Sequence, residues 1–361
     1  MLQAGGTVAW DSNIFRQSAA QPERIETGYV GLRLDKSYRQ QRWFLDITET
    51  AYRYQNASFL DFNALNYRGG WAWHLGPRVS GVLSAERAQS LVNYGLFRDT
   101  TVQNVRTAER YLANGEAELA TRWHALAGLV AEDVKYSSAF QQQPGYRARG
   151  GESGLKYLTR VDRYVSFKVV ELDADYSDQA LDPVAVVDDG FRRREAQLAA
   201  NWRLTGKTAL EARLAHLAYR YPHFSQRDFS GTTGMLAWRW AATAKLSLDL
   251  ALVRDMTPWI DSFASYRVQE RASVGATWQP AARTTLGASA GHLKADYRNP
   301  VAPLTGPARS DTAEVAELRL EWRALRNLLL NAGWQHYRQD SNDPTVRFSG
   351  RIVTVGGSLL L

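Results

Sequence analysis

The sequence contains no cysteine among its 361 residues. This absence excludes a disulfide framework, a thiol nucleophile and a cysteine-based metal site. It also agrees with a chain that crosses an oxidising periplasm before it folds, although many cytosolic chains have few cysteines. The composition therefore removes several classes of site without deciding the compartment.

Long apolar runs are also missing. No segment approaches the roughly 18 apolar residues that a transmembrane helix needs, and the mean hydropathy is -0.39. A helical membrane protein is therefore excluded. A membrane β-barrel is not excluded, because half of the residues in each of its strands are polar.

No domain boundary is visible, because turn-forming clusters recur at short intervals and no Pro/Ser-rich linker or long charge block separates them. We therefore predict one continuous domain over residues 1–361. The first residues, Met1 to Gly6, show no basic or apolar region of a signal peptide. We interpret Met1 as a start close to the site where a signal peptide was removed, and a natural cytosolic start is the alternative.

The net charge of +7 comes mostly from arginine, and the chain has 12 Trp and 17 Tyr. Basic and aromatic residues together would suit nucleic-acid binding. The arginines, however, are spread along the chain and alternate with apolar residues, so they define no single basic face. We predict no nucleic-acid partner, and no feature of the sequence predicts a cofactor.

The clearest pattern is a hairpin predicted from Thr312 to Arg338. Successive side chains of a strand point to opposite faces, so this hairpin has an apolar face and a polar one. A soluble sandwich would bury the apolar face, whereas a membrane barrel would turn it to lipid and turn the charges to a wet lumen. The alternating residues of the first strand are Ala316, Leu318, Leu320 and Trp322 on one face and Glu317, Arg319, Glu321 and Arg323 on the other.

Similar alternating segments recur along the whole chain, and they predict about 18 strands, with about 16 as the alternative. Every second connection is tight, as at Gly76-Pro77 and at Thr205 to Lys207, and most of the others are longer, as at Ser177 to Gly190. Outer-membrane barrels have short periplasmic turns and longer extracellular loops. The sequence therefore predicts an all-β fold, a single antiparallel up-and-down transmembrane β-barrel in the outer membrane of a Gram-negative bacterium.

Tryptophans recur just before the tight turns. Indole has an apolar body and one N–H donor, so it suits the boundary between hydrocarbon and water. We predict an aromatic girdle on the short-turn side, and buried core aromatics of a sandwich are the alternative. The girdle residues are Trp73, Trp123, Trp202, Trp240, Trp278 and Trp322.

The polar faces of the predicted strands define a lumen with mixed Arg and Glu. These residues could pair across the wall as structural ladders, could form a hydrophilic path for a polar solute, or could do both. Barrels of about 16 to 18 strands leave an aqueous channel, so the strand count favours transport. The predicted path residues are Asp11, Asn13, Arg110, Glu116, Glu118, Arg122, Arg203, Arg213, Arg239, Arg267, Arg271, Glu317, Arg319, Glu321 and Arg323, and the same face includes Glu195, Glu211 and Gln269.

No catalytic or metal site is predicted. The histidines show no metal-ligand spacing, and no G-x-S-x-G motif marks a nucleophile, although a hydrolase whose triad forms only in space stays open. Carboxylates at Asp182, at Asp188-Asp189 and from Asp340 to Pro344 could bind Ca²⁺. Turn chemistry explains the same residues, and we favour it.

Both ends of the chain resemble known outer-membrane sequences. The segment from Asp11 to Arg16, D-S-N-I-F-R, resembles the D-x-N-[IL]-F-R segment that opens the EpsL-like β-barrel porins encoded in exopolysaccharide operons. The segment from Val355 to Leu361 looks like the C-terminal β-signal read by the barrel-assembly machinery. It departs from that signal in ending with Leu361, where Phe or Trp is usual, and in having Val355 where a polar residue is usual.

The resemblance implies export of a polysaccharide through the outer membrane, in company with periplasmic and inner-membrane secretion components. Our first hypothesis is therefore an exopolysaccharide export channel, with outer-membrane lipid and lipopolysaccharide around it. The alternative is a general diffusion porin or a sugar-uptake channel. A second alternative is a structural or surface-anchoring barrel without transport.

Overall fold

The computed structural model describes residues 1–96, 101–138, 142–160, 163–304 and 306–361. These residues form eighteen strands and four short 3-10 turns. Within them, no helix is long and apolar enough to cross a membrane. The strands are β1 (Leu2–Asp11), β2 (Glu23–Tyr38), β3 (Gln41–Tyr54), β4 (Phe62–Leu75), β5 (Val79–Leu91), β6 (Val105–Ala120), β7 (Trp123–Tyr136), β8 (Tyr146–Arg160), β9 (Arg163–Tyr176), β10 (Gly190–Arg203), β11 (Thr208–Arg220), β12 (Phe229–Ala241), β13 (Leu246–Pro258), β14 (Tyr266–Ala281), β15 (Thr284–Arg298), β16 (Ser310–Arg323), β17 (Leu328–Ser341) and β18 (Phe348–Leu360).

The sheet closes on itself. Each strand pairs antiparallel with the next one in the chain, and β1 pairs with β18 from Gln3 opposite Leu360 to Asp11 opposite Ile352. Closure leaves no edge strand with unpaired backbone groups. The prediction of an up-and-down antiparallel barrel with 18 strands is confirmed, and the 16-strand alternative is wrong.

The two rims of the barrel differ. Connections from even-numbered to odd-numbered strands contain two to four residues, as at 76–78 and 204–207, and the two chain termini lie at the same rim. Connections at the other rim contain at least six residues and reach thirteen at 177–189. In outer-membrane barrels the short turns are periplasmic and the long loops extracellular. The long-loop rim is therefore the extracellular mouth.

Contacts between strands that are not neighbours identify the inner face. Lys156 Nζ of β8 lies 2.8 Å from a carboxylate oxygen of Glu116 on β6. Tyr337 Oη of β17 donates to Asp11 Oδ1 of β1 at 2.8 Å. Side chains from strands two apart converge only on the concave side of a barrel, so these four residues point into the lumen.

Register extends this assignment to the opening hairpin. Tyr337 lies opposite Val315, so Val315 also points inward, and alternation along β16 places Glu317 and Arg319 on the same inner face. Leu318 therefore points outward, and its side chain is 54% exposed when the chain is taken without lipid. The charged face of this hairpin lines the lumen, and the soluble-sandwich alternative is excluded.

The outer face has an apolar band with tryptophan at its lower edge. All six predicted girdle residues, named above, point outward within three residues of a short turn. On β7 the outward residues from Trp123 to Ala131 are all apolar, and Asp133 follows. Eight residue steps of a tilted strand rise about 20 Å, close to the roughly 25 Å apolar band of outer-membrane barrels. A closed barrel with this outer band is an outer-membrane protein.

Spin labels on β16 test the assignment of faces. Labels at Leu318 and Leu320 should collide with oxygen dissolved in the bilayer, because both residues lie on the outer face. Labels at Arg319 and Glu321 should collide with a water-soluble nickel chelate, because these residues face the lumen. The measurement is power-saturation electron paramagnetic resonance of the protein in liposomes. The reverse pattern would place the charged face outside.

Candidate functional site

The inner wall carries a strip of opposite charges across β6 to β11, which we call the charged strip. Glu116 lies at one end, where it is bound by Lys156 at 2.8 Å and by His124 Nδ1 at 2.9 Å. Next to it, Lys168 Nζ binds Glu152 at 2.8 Å. Each of these side chains keeps some exposure to the lumen, so the pairs lie along a wet surface and are not enclosed in a core.

The strip continues toward the mouth with arginines. Arg193 Nη2 on β10 lies 3.4 Å from Glu132 Oε1 on β7, although two strands separate them in the wall. Arg110 approaches the same carboxylate at 3.9 Å. Arg213 and Glu195 form a further pair at 3.4 Å. Cations and anions therefore alternate around the wall, which suits hydrogen bonding to a polar solute of either sign.

Aromatic rings line the lumen above the charged strip, and we call them the aromatic ladder. Phe191 packs against Tyr146 with ring centroids 5.4 Å apart and against Tyr219 at 5.2 Å. The stack continues from Tyr219 to Phe229 at 4.7 Å and from Phe229 to Tyr266 at 4.5 Å. The ladder and the charged strip border one cavity of about 480 Å³. A solute in this cavity would meet rings on one side and charges on the other.

The opposite wall is less crowded. Arg239 pairs with Asp249 at 2.7 Å, and Arg319 pairs with Glu317 at 3.0 Å. Within the described part of the chain, Arg271, Glu321 and Arg323 are in no ion pair and hold no side-chain hydrogen bond. Their charges are the ones most available to water and solute.

The tip of the β13–β14 hairpin bends into the mouth. Pairing between β12 and β13 ends at Gly234 opposite Arg254, although β13 continues to Pro258. Beyond that point Met256 Sδ packs against Gly231, which is on the inner face of β12, so closely that a β-carbon there would lie 2.7 Å from the sulfur. A larger residue at Gly231 would displace the end of the Met256 side chain.

Residues 92–96, which follow β5, reach across the mouth from the other side. Gly95 O accepts a hydrogen bond from Gln339 of β17 at 3.2 Å, and Leu96 O accepts one from Arg309, just before β16, at 3.4 Å. Tyr94 packs edge-on against Phe15 of the first loop at 5.4 Å. Loops from distant parts of the wall therefore meet over the lumen and narrow it.

Arg227 fastens three loops at the mouth. Its side chain is 1% exposed and donates to Val186 O, to Ala185 O at 3.3 Å, and to Asp261 O and Ala264 O at 3.1 and 3.3 Å. Burial lowers the pKa of Arg227 below its ordinary value. Because that value is far above neutral, the guanidinium stays charged and its hydrogen bonds stay charge-assisted.

Asp188 and His223 form a second contact between the β9–β10 loop and the β11–β12 loop. Burial acts to raise the pKa of Asp188, but hydrogen bonds from the His223 side chain and from backbone N–H groups outweigh it and lower the pKa. The hydrogen bond to Asp188 raises the pKa of His223. Asp188, Asp189 and His223 lie close enough together to hold a metal ion. The oxygens of Asp188, however, already accept from the backbone N–H groups of His223 and Phe224 in another loop and from that of Asp189.

Most of the predicted path residues lie on the inner wall. Arg267 is almost fully buried, and its guanidinium lies 5.6 Å from the ring centre of Trp259 in the mouth. Their part in solute passage stays a prediction. The predicted residues on the inner face are Arg110, Glu116, Glu118, Arg203, Arg213, Arg239, Arg267, Arg271, Glu317, Arg319, Glu321 and Arg323.

Asp11 and Asn13 are at the mouth, where they hold the first loop in place. Asp11 is 2% exposed and binds Arg16 at 2.8 Å, and both contact Tyr337. Asn13 is 1% exposed and donates to Gln17 O and to Ser349 O of β18. With their polar atoms enclosed in this way, neither residue is available to a passing solute. The D-S-N-I-F-R segment is a loop anchor.

Arg122 is placed differently from the prediction. It lies in the two-residue turn between β6 and β7, and its Nη1 donates to Tyr157 Oη at 3.4 Å. Tyr157 lies opposite Trp123 on the outer face. The register between β6 and β7 shifts at Glu118 and Ala120, so alternation counted through this turn fails. Arg122 belongs to the periplasmic boundary, not to the lumen.

The sequence alone missed half of the charged strip. Glu132, Glu152, Lys156, Lys168 and Arg193 were not singled out, although all of them face the lumen. On β7 to β9 the inner face also carries apolar residues of the wall around the aromatic ladder, which hides the alternation. One signal could have found two of them. Glu152 and Lys168 lie at similar distances in the sequence before and after the β8–β9 connection, so antiparallel pairing brings them close together.

The fold and the inner face define an outer-membrane β-barrel with a hydrophilic lumen. Its fold is similar to solved structures of Pseudomonas aeruginosa barrels. OccK9 (OpdG) is 11% identical with a TM-score of 0.55, and the match covers 100% of this chain and 98% of that one. OccK2 (OpdF), solved in complex with glucuronate, is 14% identical with a TM-score of 0.54, over 100% and 97% of the two chains. OpdK, solved with vanillate, is 12% identical with a TM-score of 0.54, over 99% and 98%.

Because the sequence identities are this low, the comparison shows a similarity of fold alone. The sequence matches no protein-family model and no curated protein.

Replacing Arg227 tests the fastening of the mouth. Arg227→Met leaves the carbonyls of Ala185, Val186 and Asp261 without their donor, so these loops should lose about 2–3 kcal/mol of local stability. Thermolysin cleavage within 181–187 should accelerate at least about tenfold. Arg220→Met is the matched control, because Arg220 forms an exposed pair with Asp228, of a kind that contributes about 1 kcal/mol or less. Equal cleavage of both variants would show that Arg227 does not fasten the loops.

Proposed function

We propose that this chain is a diffusion channel for small hydrophilic solutes across the outer membrane. The observation that carries the proposal is the charged strip, which lines a lumen too wide to be filled by its own side chains. Exposed ion pairs contribute about 1 kcal/mol or less to stability, so a structural role alone gives little reason for them. Here Arg110 is 58% exposed, and Arg271 holds no partner among the described residues. Such groups can exchange hydrogen bonds with a solute that passes.

The cavity beside the charged strip favours a ring that carries a charged or hydroxyl group. Tyr146 lines this cavity and is only half-buried, so part of its ring is open to a solute, and Arg193 and Arg213 offer donors nearby. Glucuronate and vanillate, the molecules solved with OccK2 and OpdK, are ligands of this kind. A sugar acid or an aromatic acid is therefore the solute class that we propose to test first.

Export of an exopolysaccharide, the first hypothesis from the sequence, has weaker support. Residues 92–96 after β5 and the β13–β14 tip narrow the mouth, which suits a small solute better than a polymer. The similarity in fold to barrels that were solved with small ligands supports the same choice. Membership of the EpsL-like group stays a prediction from the two short ends. If a deletion strain makes the polymer but does not release it, the export hypothesis is supported. If the purified barrel shows no conductance, the anchoring alternative is supported.

Two neighbouring arginines give a matched test of the lumen. Arg193 faces inward and pairs with Glu132, whereas Arg192 faces outward and pairs with Asp173 at 2.6 Å. A charge about 8 Å from an ion's path in water changes the ion's energy by about 0.5 kcal/mol. The change has opposite signs for chloride and potassium, so their energy difference shifts by about 1 kcal/mol at low salt. Arg193→Gln should therefore lower the chloride-to-potassium permeability ratio about fivefold, measured from reversal potentials in planar bilayers under a dilute salt gradient.

Arg192→Gln removes the same charge one residue away and should leave the permeability ratio unchanged. An equal shift in both variants would mean that the charge acts at a distance and not in the conduction path. No shift in either would remove the charged strip from the path altogether.

A further inference from the structure

A large groove lies on the outside of the barrel, away from the lumen. It crosses β3 to β8 in the apolar band and has a volume of about 750 Å³. The side chains that line it point outward, because they alternate along β6 and β7 with Glu116 and Glu132, which point inward. The residues that form it are Trp43, Trp71, Leu83, Tyr111 and Leu129 as walls and Gly69, Ala85, Ala113 and Ala131 as floor.

The groove is shaped for a hydrocarbon chain. Small residues on its floor alternate with large ones on its walls, and Trp43 and Trp71 stack 6.4 Å apart at the short-turn end. Strands lie about 4.8 Å apart, so six of them give the groove a length of about 24 Å. The groove is a shallow apolar depression that is open to the lipid and is interrupted by Tyr111, which lies opposite Ala85 and Ala131.

An unpaired cation lies at the extracellular end of the groove. Arg149 of β8 lines it, lies opposite Ala131 and is exposed. Among the described residues it has no ion pair and no hydrogen-bond partner for its side chain. The neighbouring outward arginines are engaged, Arg147 with Asp133 at 3.3 Å and Arg87 with Glu109 at 3.7 Å. Arg149 is thus the one of these three arginines that is free to bind an anion from outside.

We propose that this groove binds lipid A, the phosphorylated glycolipid anchor of outer-leaflet lipopolysaccharide. An acyl chain would lie in the groove, and a phosphate would bind Arg149. A guanidinium at the hydrocarbon boundary is costly without an anion, and phosphate is the anion that guanidinium binds best. The position of Arg149 near the long-loop rim selects the outer leaflet over the inner one. The proposal depends on the barrel and not on the proposed channel function.

Native mass spectrometry of the purified barrel, titrated with bisphosphorylated lipid A, tests the proposal. Arg149→Gln should weaken binding about tenfold, because one charge-assisted contact is lost. Arg351→Gln is the matched control, since Arg351 is an outward arginine at the mouth end of β18, far from the groove. Ala113→Phe fills the floor of the groove and should also weaken binding, whereas Ala288→Phe on the outer face of β15 should not. Conductance should be unchanged in all four variants.

The second part of the test compares different lipids. Lipid A without phosphate should bind the unaltered barrel about as weakly as the complete molecule binds Arg149→Gln. Equal binding by Arg149→Gln and Arg351→Gln, or equal binding of phosphatidylglycerol, would overturn the proposal. A dimeric species lost only in Ala113→Phe would also overturn it, because a second copy of the chain would then occupy the groove.

Discussion

The structure depends on the need to pair every backbone amide and carbonyl within hydrocarbon, where water is not available to them. A chain without long apolar runs can meet this need only as a closed sheet. The pairing of β1 with β18 is therefore the contact on which the rest depends. It brings both ends of the chain together at the short-turn rim and makes the wall continuous.

Closure also decides where the charges go. Alternate side chains of each strand point to opposite sides of the wall. With the apolar residues facing lipid, the charged residues between them face the lumen. There the curvature brings Arg193 and Glu132 together from strands that are not neighbours. The same curvature gathers the aromatic ladder, and the loops then need only to bend inward to narrow the mouth. Near the extracellular rim, where lipid gives way to head groups, outward charges such as Arg147 and Arg149 return.

The sequence predicted the barrel well, because period-two alternation and unequal loops are local signals that survive without tertiary knowledge. Leu318 and Arg319 could be assigned to opposite faces from their neighbours alone. The site was less predictable. Alternation correctly placed Asp11 on the inner face, but Asp11 and Asn13 lie where β1 passes into the first loop. There Tyr337 and Ser349, more than 300 residues away in the chain, enclose their polar atoms. Arg122 was misplaced by a register shift in a turn, and Lys168 was hidden by apolar residues on the inner face of its strand.

The central claim is that the inner face bounds an aqueous path for small solutes. Swelling of liposomes that contain the purified protein tests it most directly, with glucuronate, disaccharides and a dextran compared at equal osmolarity. We expect fast entry of glucuronate, slower entry of disaccharides and none of dextran, because residues 92–96 after β5 and the β13–β14 tip narrow the mouth. Swelling no faster than in protein-free liposomes for every solute, or equal entry of dextran, would contradict it.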